Sequence, residues 1–151
     1  LWHDVFDVPH SSAPESEYRS LNELLADADF VSLHTNLDAS SRHMIGEAEL
    51  NLMKPTAYLI NTARGPLVDQ VALTKALQSN QIAGAALDVL EKEPPVEDDP
   101  IFTLPNIICF PHIGTATKET RRAMRELAVK NLIAVITGKK PLASVNPEVL
   151  G

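Results

Sequence analysis

Polar side chains that could do chemistry follow four short apolar runs of this sequence, each at the point where a run stops. The runs cover residues 30–33, 57–60, 83–87 and 107–110. If the runs are parallel strands, their carboxyl ends meet at one edge of the sheet, where open α/β sheets bind their ligands. The sequence therefore predicts that an arginine, two carboxylates and two histidines converge on one edge. The residues that follow the four runs in turn are His34 and Thr35, then Thr62 and Arg64, then Asp88 and Glu93, and finally His112 and Gly114.

Each of these residues also has an ordinary structural interpretation. Arg64 could cap a helix or pair with a surface acid, and Glu93 could be a solvated charge in an acidic loop. His112 could be a core histidine bonded to the backbone, and we interpret His34 as structural. Asp88 is harder to explain in this way, because a carboxylate that closes an apolar strand must be hydrogen-bonded or face a polar ligand.

Three of the residues form a set that suits one reaction. Arg64 offers a planar fork of donors that can hold a carboxylate substrate bidentately. His112 is the natural proton donor and acceptor near neutral pH, and Glu93 would hold its tautomer and stabilise its charged form. Together they suit the reduction of a 2-oxo acid, in which Arg64 anchors the carboxylate and His112 delivers the proton. The hydride must come from a cofactor, because no side chain can supply one.

The composition describes one folded, acidic domain. Of the 151 residues, 44% are hydrophobic and 22% are charged, which is enough apolar material for a core. The net charge of −7 argues against nucleic acid and anionic membranes as partners. No apolar run approaches the ~20 residues of a membrane-spanning helix. The single cysteine, Cys109, cannot form an internal disulfide, which fits a reducing, cytoplasmic setting; we expect it to be a small buried hydrophobe.

Helical patterns fill the gaps between the apolar runs, the first three of which start about 26 residues apart. Capping-box spacing at Ser20 and Glu23 predicts a first short helix, and residues 47–53 predict a second. Asp69 is predicted to cap a third helix that ends at Asn80. Strand–helix–strand repeats of this length imply parallel strands with right-handed crossovers. The predicted fold class is therefore α/β, a doubly wound parallel sheet with both faces covered.

The last third of the chain departs from this rhythm. Residues 91–106 are acidic and contain four prolines, so they predict an ordered loop. Residues 117–137 predict a long helix, whose apolar stripe we expect to pack in a core. The tail, residues 139–151, is predicted to be extended and polar.

Four segments of the chain resemble the NAD-binding domain of the D-isomer-specific 2-hydroxyacid dehydrogenases. The Ala-Arg-Gly, Leu-Asp-Val…Glu-Pro and Pro-His-Ile-Gly motifs occur in that family's order and spacing, and the resemblance covers essentially the whole chain. "PHIGTAT", followed by "TRRAM", and the ending "VNPEV" look most like its glyoxylate/hydroxypyruvate reductases. The resemblance implies a Rossmann-like fold and a dehydrogenase of small 2-oxo or D-2-hydroxy acids. The four segments are "VSLHTNLDASSRHMI", "MKPTAYLINTARGPLVD", "AGAALDVLEKEPP" and "PHIGTATKETRRAM".

The resemblance also implies roles for the residues at the strand ends. By it, Arg64 binds the substrate, Glu93 pairs with the histidine, and His112 is the acid/base. Asp88 resembles the residue that contacts the nicotinamide carboxamide. The implied cofactor is NAD, with NADP possible, the implied assembly is a homodimer of the full-length protein, and no metal ion is expected. The residues expected to contact the cofactor are Asp4, Thr35, Thr62, Ala63, Arg64, Asp88, His112 and Gly114.

One motif of the family is missing from this chain. The phosphate-binding G-x-G-x-x-G does not occur, and no two of the six glycines are close together. In the family that motif lies upstream of where this sequence starts, so we expect a piece of a longer protein whose fold is incomplete at its N-terminal end. Residues 1–138 would be the C-terminal portion of the NAD-binding domain, and residues 139–151 would return to a substrate domain. Asp4 would then accept hydrogen bonds from the adenosine ribose and favour NAD, although a turn residue is nearly as good an interpretation.

Two other interpretations of the chain stay open. Some relatives are dinucleotide-sensing corepressors, and these can keep the arginine, the glutamate and the histidine. The segment "IGTAT" after His112 favours the enzyme. The chain could also be an inactive remnant, because the phosphate-binding motif is not among its residues.

Overall fold

The computed structural model describes residues 1–4 and 15–150, which form two compact units. Counted over those described residues, the first unit, Leu1–His112, contains the sheet and three α-helices, and the second, Ile113–Gly151, contains one long helix and the tail. The division at residue 138 that the resemblance implies stays a prediction.

Four parallel strands form one sheet in the order β1-β2-β3-β4. Each strand begins within one residue of an apolar run, as a short apolar run bounded by polar residues predicts. The predicted parallel, Rossmann-like α/β class is confirmed. The strands are β1 (Phe30–Leu33), β2 (Tyr58–Asn61), β3 (Gly84–Leu87) and β4 (Ile107–Cys109).

The three helices of the first unit begin where the sequence predicts them. The carboxylate of Glu23 accepts a hydrogen bond from the Ser20 amide at 3.0 Å, and the Ser20 hydroxyl faces the Glu23 amide in return. The Asp69 carboxylate accepts from the Ala72 amide at 2.9 Å. These caps satisfy amides that the first helical turn leaves without partners. The helices are α1 (Leu21–Asp27), α2 (Glu47–Leu52) and α3 (Gln70–Gln78).

The core lies between these helices and one face of the sheet. Val31, Leu59 and Ala85 are aligned across β1, β2 and β3, and all three are buried. On the opposite face Phe30 stacks on Tyr58 with the ring centroids 5.6 Å apart, and their exposures are 69% and 44%. Within the described residues of the first unit, α1, α2 and α3 pack side by side as one layer against the buried face of the sheet.

The second unit is built on helix α4 (Lys118–Ile136), whose bounds lie within one residue of the predicted ones and whose N-terminus Thr117 caps. The side chain of Asn131 holds the tail against this helix, because its oxygen accepts from the amides of Leu142 at 2.9 Å and Ala143 at 3.2 Å. Within the second unit no side chain of α4 is buried, and the packing of its apolar stripe in a core stays a prediction. Helical periodicity specifies an apolar face but does not specify what covers it.

Gly65 is the point at which the loop after β2 touches the loop after β3. A Cβ atom at Gly65 would lie 1.8 Å from the carbonyl oxygen of Leu90 and 2.6 Å from the amide nitrogen of Glu91. Gly65 is buried and opens a short 3₁₀ helix, Gly65–Leu67. Only glycine allows two backbones to approach this closely, so the residue next to Arg64 fixes the distance between the two loops.

We therefore expect Gly65→Ala to destabilise the chain by about 3 kcal/mol or more, because two backbone segments must separate to admit the methyl group. Gly46→Ala is the matched control. A Cβ at Gly46 would lie 3.4 Å from a Glu49 side-chain oxygen, so this change should cost less than about 1 kcal/mol. Urea unfolding of the two variants measures both losses, and equal losses would contradict the close contact.

Candidate active site

Backbone hydrogen bonds continue across the sheet beyond the ends of the strands. The amide of Asp88 donates to the carbonyl of Asn61 at 2.9 Å, and the amide of His112 donates to the carbonyl of Asp88 at 2.9 Å. Three residues that follow or close different strands are thereby linked in a row. The first of these bonds extends the β2–β3 ladder by one residue, and the second is made three residues beyond the end of β4.

The loop that carries Arg64 is held by hydrogen bonds to the buried side-chain amide of Asn61. The side chain of Asn61, which is 1% exposed, donates to the Arg64 carbonyl at 2.9 Å and accepts from the Ala63 amide at 3.1 Å. The Arg64 side chain is exposed, and its Nη1 donates to the carbonyl of Ala63 at 2.6 Å. The backbone of this loop is thus fixed, while the guanidinium lies at the surface of the strand ends.

His112 and Glu93 form a hydrogen-bonded pair. Nδ1 of His112 lies 2.9 Å from Oε2 of Glu93, and the other oxygen of Glu93 accepts from the amide of Leu90 at 3.1 Å. A carboxylate at Nδ1 selects the tautomer that carries its proton there, which leaves Nε2 as the nitrogen that can exchange a proton with a ligand. His112 has a φ of 54°, a conformation uncommon for a residue with a side chain, and the bond from its amide to Asp88 holds it there.

The other predicted site residues fall into three groups. Thr35 and Thr62 are exposed beyond the ends of β1 and β2, Ala63 is half-buried, and Asp88 is buried with 8% exposure. Asp4 is exposed, next to a segment in which Trp2 pairs with Tyr18 outside the four-stranded sheet. Gly114 belongs to the second unit. His34 pairs with the Ser32 hydroxyl at 2.8 Å, in keeping with a structural role.

Sequence reasoning missed two residues that hold the loops of this site. Asn61 closes an apolar strand as Asp88 does, so the argument that a buried polar group needs partners would have found it. Glu91 bonds to residues far away in the chain, and in the sequence it is one acid among several in a loop. No local signal marks it.

A cavity of about 340 Å³ lies beside the His112–Glu93 pair. Its walls are largely apolar and include Leu90, Phe102 and Phe110. Cys109 also lines it and is half-buried rather than fully buried as expected. Burial, and then the charge of Asp99, raise the pKa of the Cys109 thiol, so it stays protonated and unreactive at neutral pH.

The described residues contain no group of three or more His, Cys, Asp or Glu side chains that could hold a metal ion. Among their helices there is also none that combines the length and the apolar character needed to cross a membrane.

This parallel sheet, with polar residues at its carboxyl edge, defines a Rossmann-like α/β domain, and the comparisons with known proteins agree. The glyoxylate reductase of Thermofilum pendens is 52% identical over 99% of this chain and 45% of its own length. A crystal structure of a glyoxylate reductase from Paecilomyes thermophila superposes with a TM-score of 0.89, at 41% identity over 97% of this chain and 44% of that one. The NAD-complexed structure of a D-isomer specific 2-hydroxyacid dehydrogenase from Lactobacillus delbrueckii ssp. bulgaricus superposes with a TM-score of 0.86. It is 38% identical over 95% of this chain and 48% of that one.

The family model described as "D-isomer specific 2-hydroxyacid dehydrogenase, NAD binding domain" matches residues 1–114. The chain therefore belongs to the D-isomer specific 2-hydroxyacid dehydrogenase family. It spans somewhat less than half the length of the relatives that it matches.

We expect Asn61→Ala to destabilise the chain by about 2–3 kcal/mol, because it removes a buried side chain and both of its hydrogen bonds, to the Ala63 amide and to the Arg64 carbonyl. Gln81→Ala is the matched control, since it removes an exposed amide bonded to Asn51 at 2.9 Å and should change stability by less than about 0.5 kcal/mol. Chemical denaturation gives both values. Similar losses in the two variants would mean that Asn61 does not hold the Arg64 loop.

Proposed function

We propose that this chain is part of the NAD-binding domain of an oxidoreductase that moves a hydride between a nicotinamide dinucleotide and a small 2-oxo acid or D-2-hydroxy acid. We propose glyoxylate or hydroxypyruvate as the oxo acid, because the resemblance favours these reductases and relatives at about half identity are named glyoxylate reductase. The observation that carries the proposal is the His112–Glu93 pair. Backbone hydrogen bonds hold it at the carboxyl edge of the sheet, from which the Arg64 loop also starts.

In this proposal each of the three side chains has one task. The Arg64 guanidinium binds the substrate carboxylate through paired charge-assisted hydrogen bonds and helps to polarise the carbonyl. Nε2 of His112 gives a proton to the carbonyl oxygen in reduction and takes it from the hydroxyl in oxidation. Glu93 keeps the ring in the required tautomer and stabilises its charged form, the part that a carboxylate plays in a catalytic triad.

The residues at the strand ends suit a nicotinamide dinucleotide, which supplies the hydride when bound. Asp88 is buried at the strand edge, where a carboxylate can accept hydrogen bonds from a carboxamide. Thr35 and Thr62 are exposed beyond neighbouring strands, and with Ala63 they offer hydroxyl and backbone groups to such a ligand. We propose the same general role for Gly114, which follows His112 in the chain by two residues.

Four finer proposals complete this function. Asp4 supports NAD over NADP, because an acid at this position can bind the ribose hydroxyls. The single cysteine supports a cytoplasmic location. The family resemblance supports a homodimer. It also supports assigning residues 1–138 to the NAD-binding domain and the tail to the return toward a substrate domain.

A chimera tests the function, because the relatives are about twice the length of this chain. Residues 1–151 replace the matching segment of the Thermofilum pendens glyoxylate reductase, and oxidation of NADH is followed with glyoxylate or hydroxypyruvate. We expect turnover. In Arg64→Gln, kcat/KM for hydroxypyruvate should fall on the order of 100-fold or more, because one partner of a hydrogen-bonded charge pair is lost inside a closed site.

Dihydroxyacetone, in which an alcohol replaces the carboxylate, is the matched substrate, and Arg122→Gln on helix α4 is the matched variant. The parent and Arg64→Gln should reduce dihydroxyacetone equally poorly, with NADH affinity unchanged, and Arg122→Gln should resemble the parent. If the Arg64 change weakened NADH binding as much as turnover, Arg64 would be a cofactor or structural residue. A folded chimera that binds NADH without turnover would favour a dinucleotide-binding module.

We expect Glu93→Gln in the same chimera to lower kcat for hydroxypyruvate on the order of 100-fold or more. It removes the charge that stabilises the imidazolium and can donate to Nδ1, which selects the wrong tautomer. Glu97→Gln is the matched control, since Glu97 is an exposed acid of the same loop. Steady-state kinetics with saturating NADH measure kcat for both variants. Equal kcat values in the two variants would mean that Glu93 is a solvated loop charge with no part in the reaction.

A further inference from the structure

His43 and Glu91 form a second histidine–carboxylate pair, and Glu91 lies two residues before Glu93 in the chain. Nε2 of His43 is 2.7 Å from Oε1 of Glu91, and Arg42 approaches the same oxygen at 3.4 Å. The other oxygen of Glu91 accepts from the backbone amide of Gln70, the first residue of α3, at 3.2 Å. Both oxygens of Glu91 are thus engaged by groups from two other segments of the chain.

Glu91 and Gln70 also bond in the reverse direction. The amide of Glu91 donates to the side-chain oxygen of Gln70 at 3.0 Å, and the Gln70 side-chain nitrogen donates to Asp99 at 2.7 Å. Asp99 in turn accepts from the amide of Ile101, so it caps the 3₁₀ helix Pro100–Thr103. The loop that carries Glu93 is therefore pinned at both ends to the start of α3.

The same network reaches the loop that carries Arg64. His43 has a φ of 54°, and its amide donates to the carbonyl of Pro66 at 2.8 Å. Leu90, the neighbour of Glu91, presses its carbonyl against Gly65 and donates its amide to Glu93. A displacement of Glu91 would therefore be passed both to the Arg64 loop and to the carboxylate that orients His112.

A surface ion pair of this kind would ordinarily contribute little. Glu91 differs in its surroundings. Its side chain is 26% exposed, against 39% for Glu93, and it accepts a backbone amide in addition to its contacts with the side chains of Arg42 and His43. The geometry points to a specific role: Glu91 is a positioning residue, which with His43 and Gln70 sets the backbone from which Glu93 holds the His112 ring. This inference rests on the proposed function for its kinetic consequence.

The direct test reads the His112 ring in the 151-residue chain and requires no turnover. Long-range ¹H–¹⁵N NMR spectra, recorded where the imidazole is neutral, distinguish the Nδ1–H from the Nε2–H tautomer. We expect His112 in the parent to be the Nδ1–H form. In Glu91→Ala and His43→Ala its ring nitrogens should shift toward the averaged values of a tautomer mixture. His43→Gln should restore the parent values, because glutamine keeps a donor for Glu91. Glu97→Ala should leave them unchanged.

The kinetic arm uses the chimera. Glu91→Ala should lower kcat for hydroxypyruvate on the order of 10- to 100-fold, with NADH affinity nearly unchanged, as expected when a group behind the acid/base is misplaced.

Unshifted His112 resonances in both Glu91→Ala and His43→Ala would overturn the inference, even with lowered stability, because Glu91 would then be structural only. If Glu91→Ala does not fold, Glu91→Gln and His43→Ala decide in the same way. A parent chimera without turnover would count against the proposed function alone, since the ring tautomer is measured independently of it.

Discussion

The contact between Gly65 and the backbone of Leu90 and Glu91 is the constraint on which the candidate site depends. With a Cβ position only 1.8 Å from the Leu90 carbonyl, no other residue fits there. The arginine that follows β2 and the glutamate that follows β3 lie on loops that this contact presses together. An always-charged guanidinium can therefore stand at the mouth of a hydrophobic strand, because its loop is held by its neighbours rather than by burial of its own side chain.

Hydrogen bonds extend this constraint along the whole edge. The row from Asn61 through Asp88 to His112 carries backbone hydrogen bonding past the last residues of the strands. The Asn61 amide fixes the loop after β2, and Glu91 ties the loop after β3 to α3. Proton transfer and carboxylate binding require groups held in fixed relative positions. A rigid edge of backbone with exposed side chains meets that requirement and leaves the side chains of the candidate site open to a ligand.

Much of the fold could be predicted from the sequence, because its signals are local. Ser20, Asp69 and Thr117 cap helices through residues three positions away, and the apolar runs mark all four strands. The expectation that polar residues meet at the carboxyl ends of parallel strands also identified Asp88 and His112 as neighbours. The partners of Glu91 could not be predicted, since His43 is 48 residues away in the chain. The glycine at position 65 was visible, but its close approach to Leu90 is a tertiary contact. Likewise the stripe of α4 predicts an apolar face, whereas burial depends on a partner.

Hydrogen exchange at two backbone amides tests this account most directly. The amides of Asp88 and His112 donate at 2.9 Å to the carbonyls of Asn61 and Asp88, so in the 151-residue chain they should exchange as slowly as the amides inside β2 and β3. Amides of the exposed loop, such as that of Lys92, supply the fast reference. If Asp88 and His112 exchange at the rate of this loop while the strands stay protected, the edge is not a continuation of the sheet, and the residues that it would align are not held together.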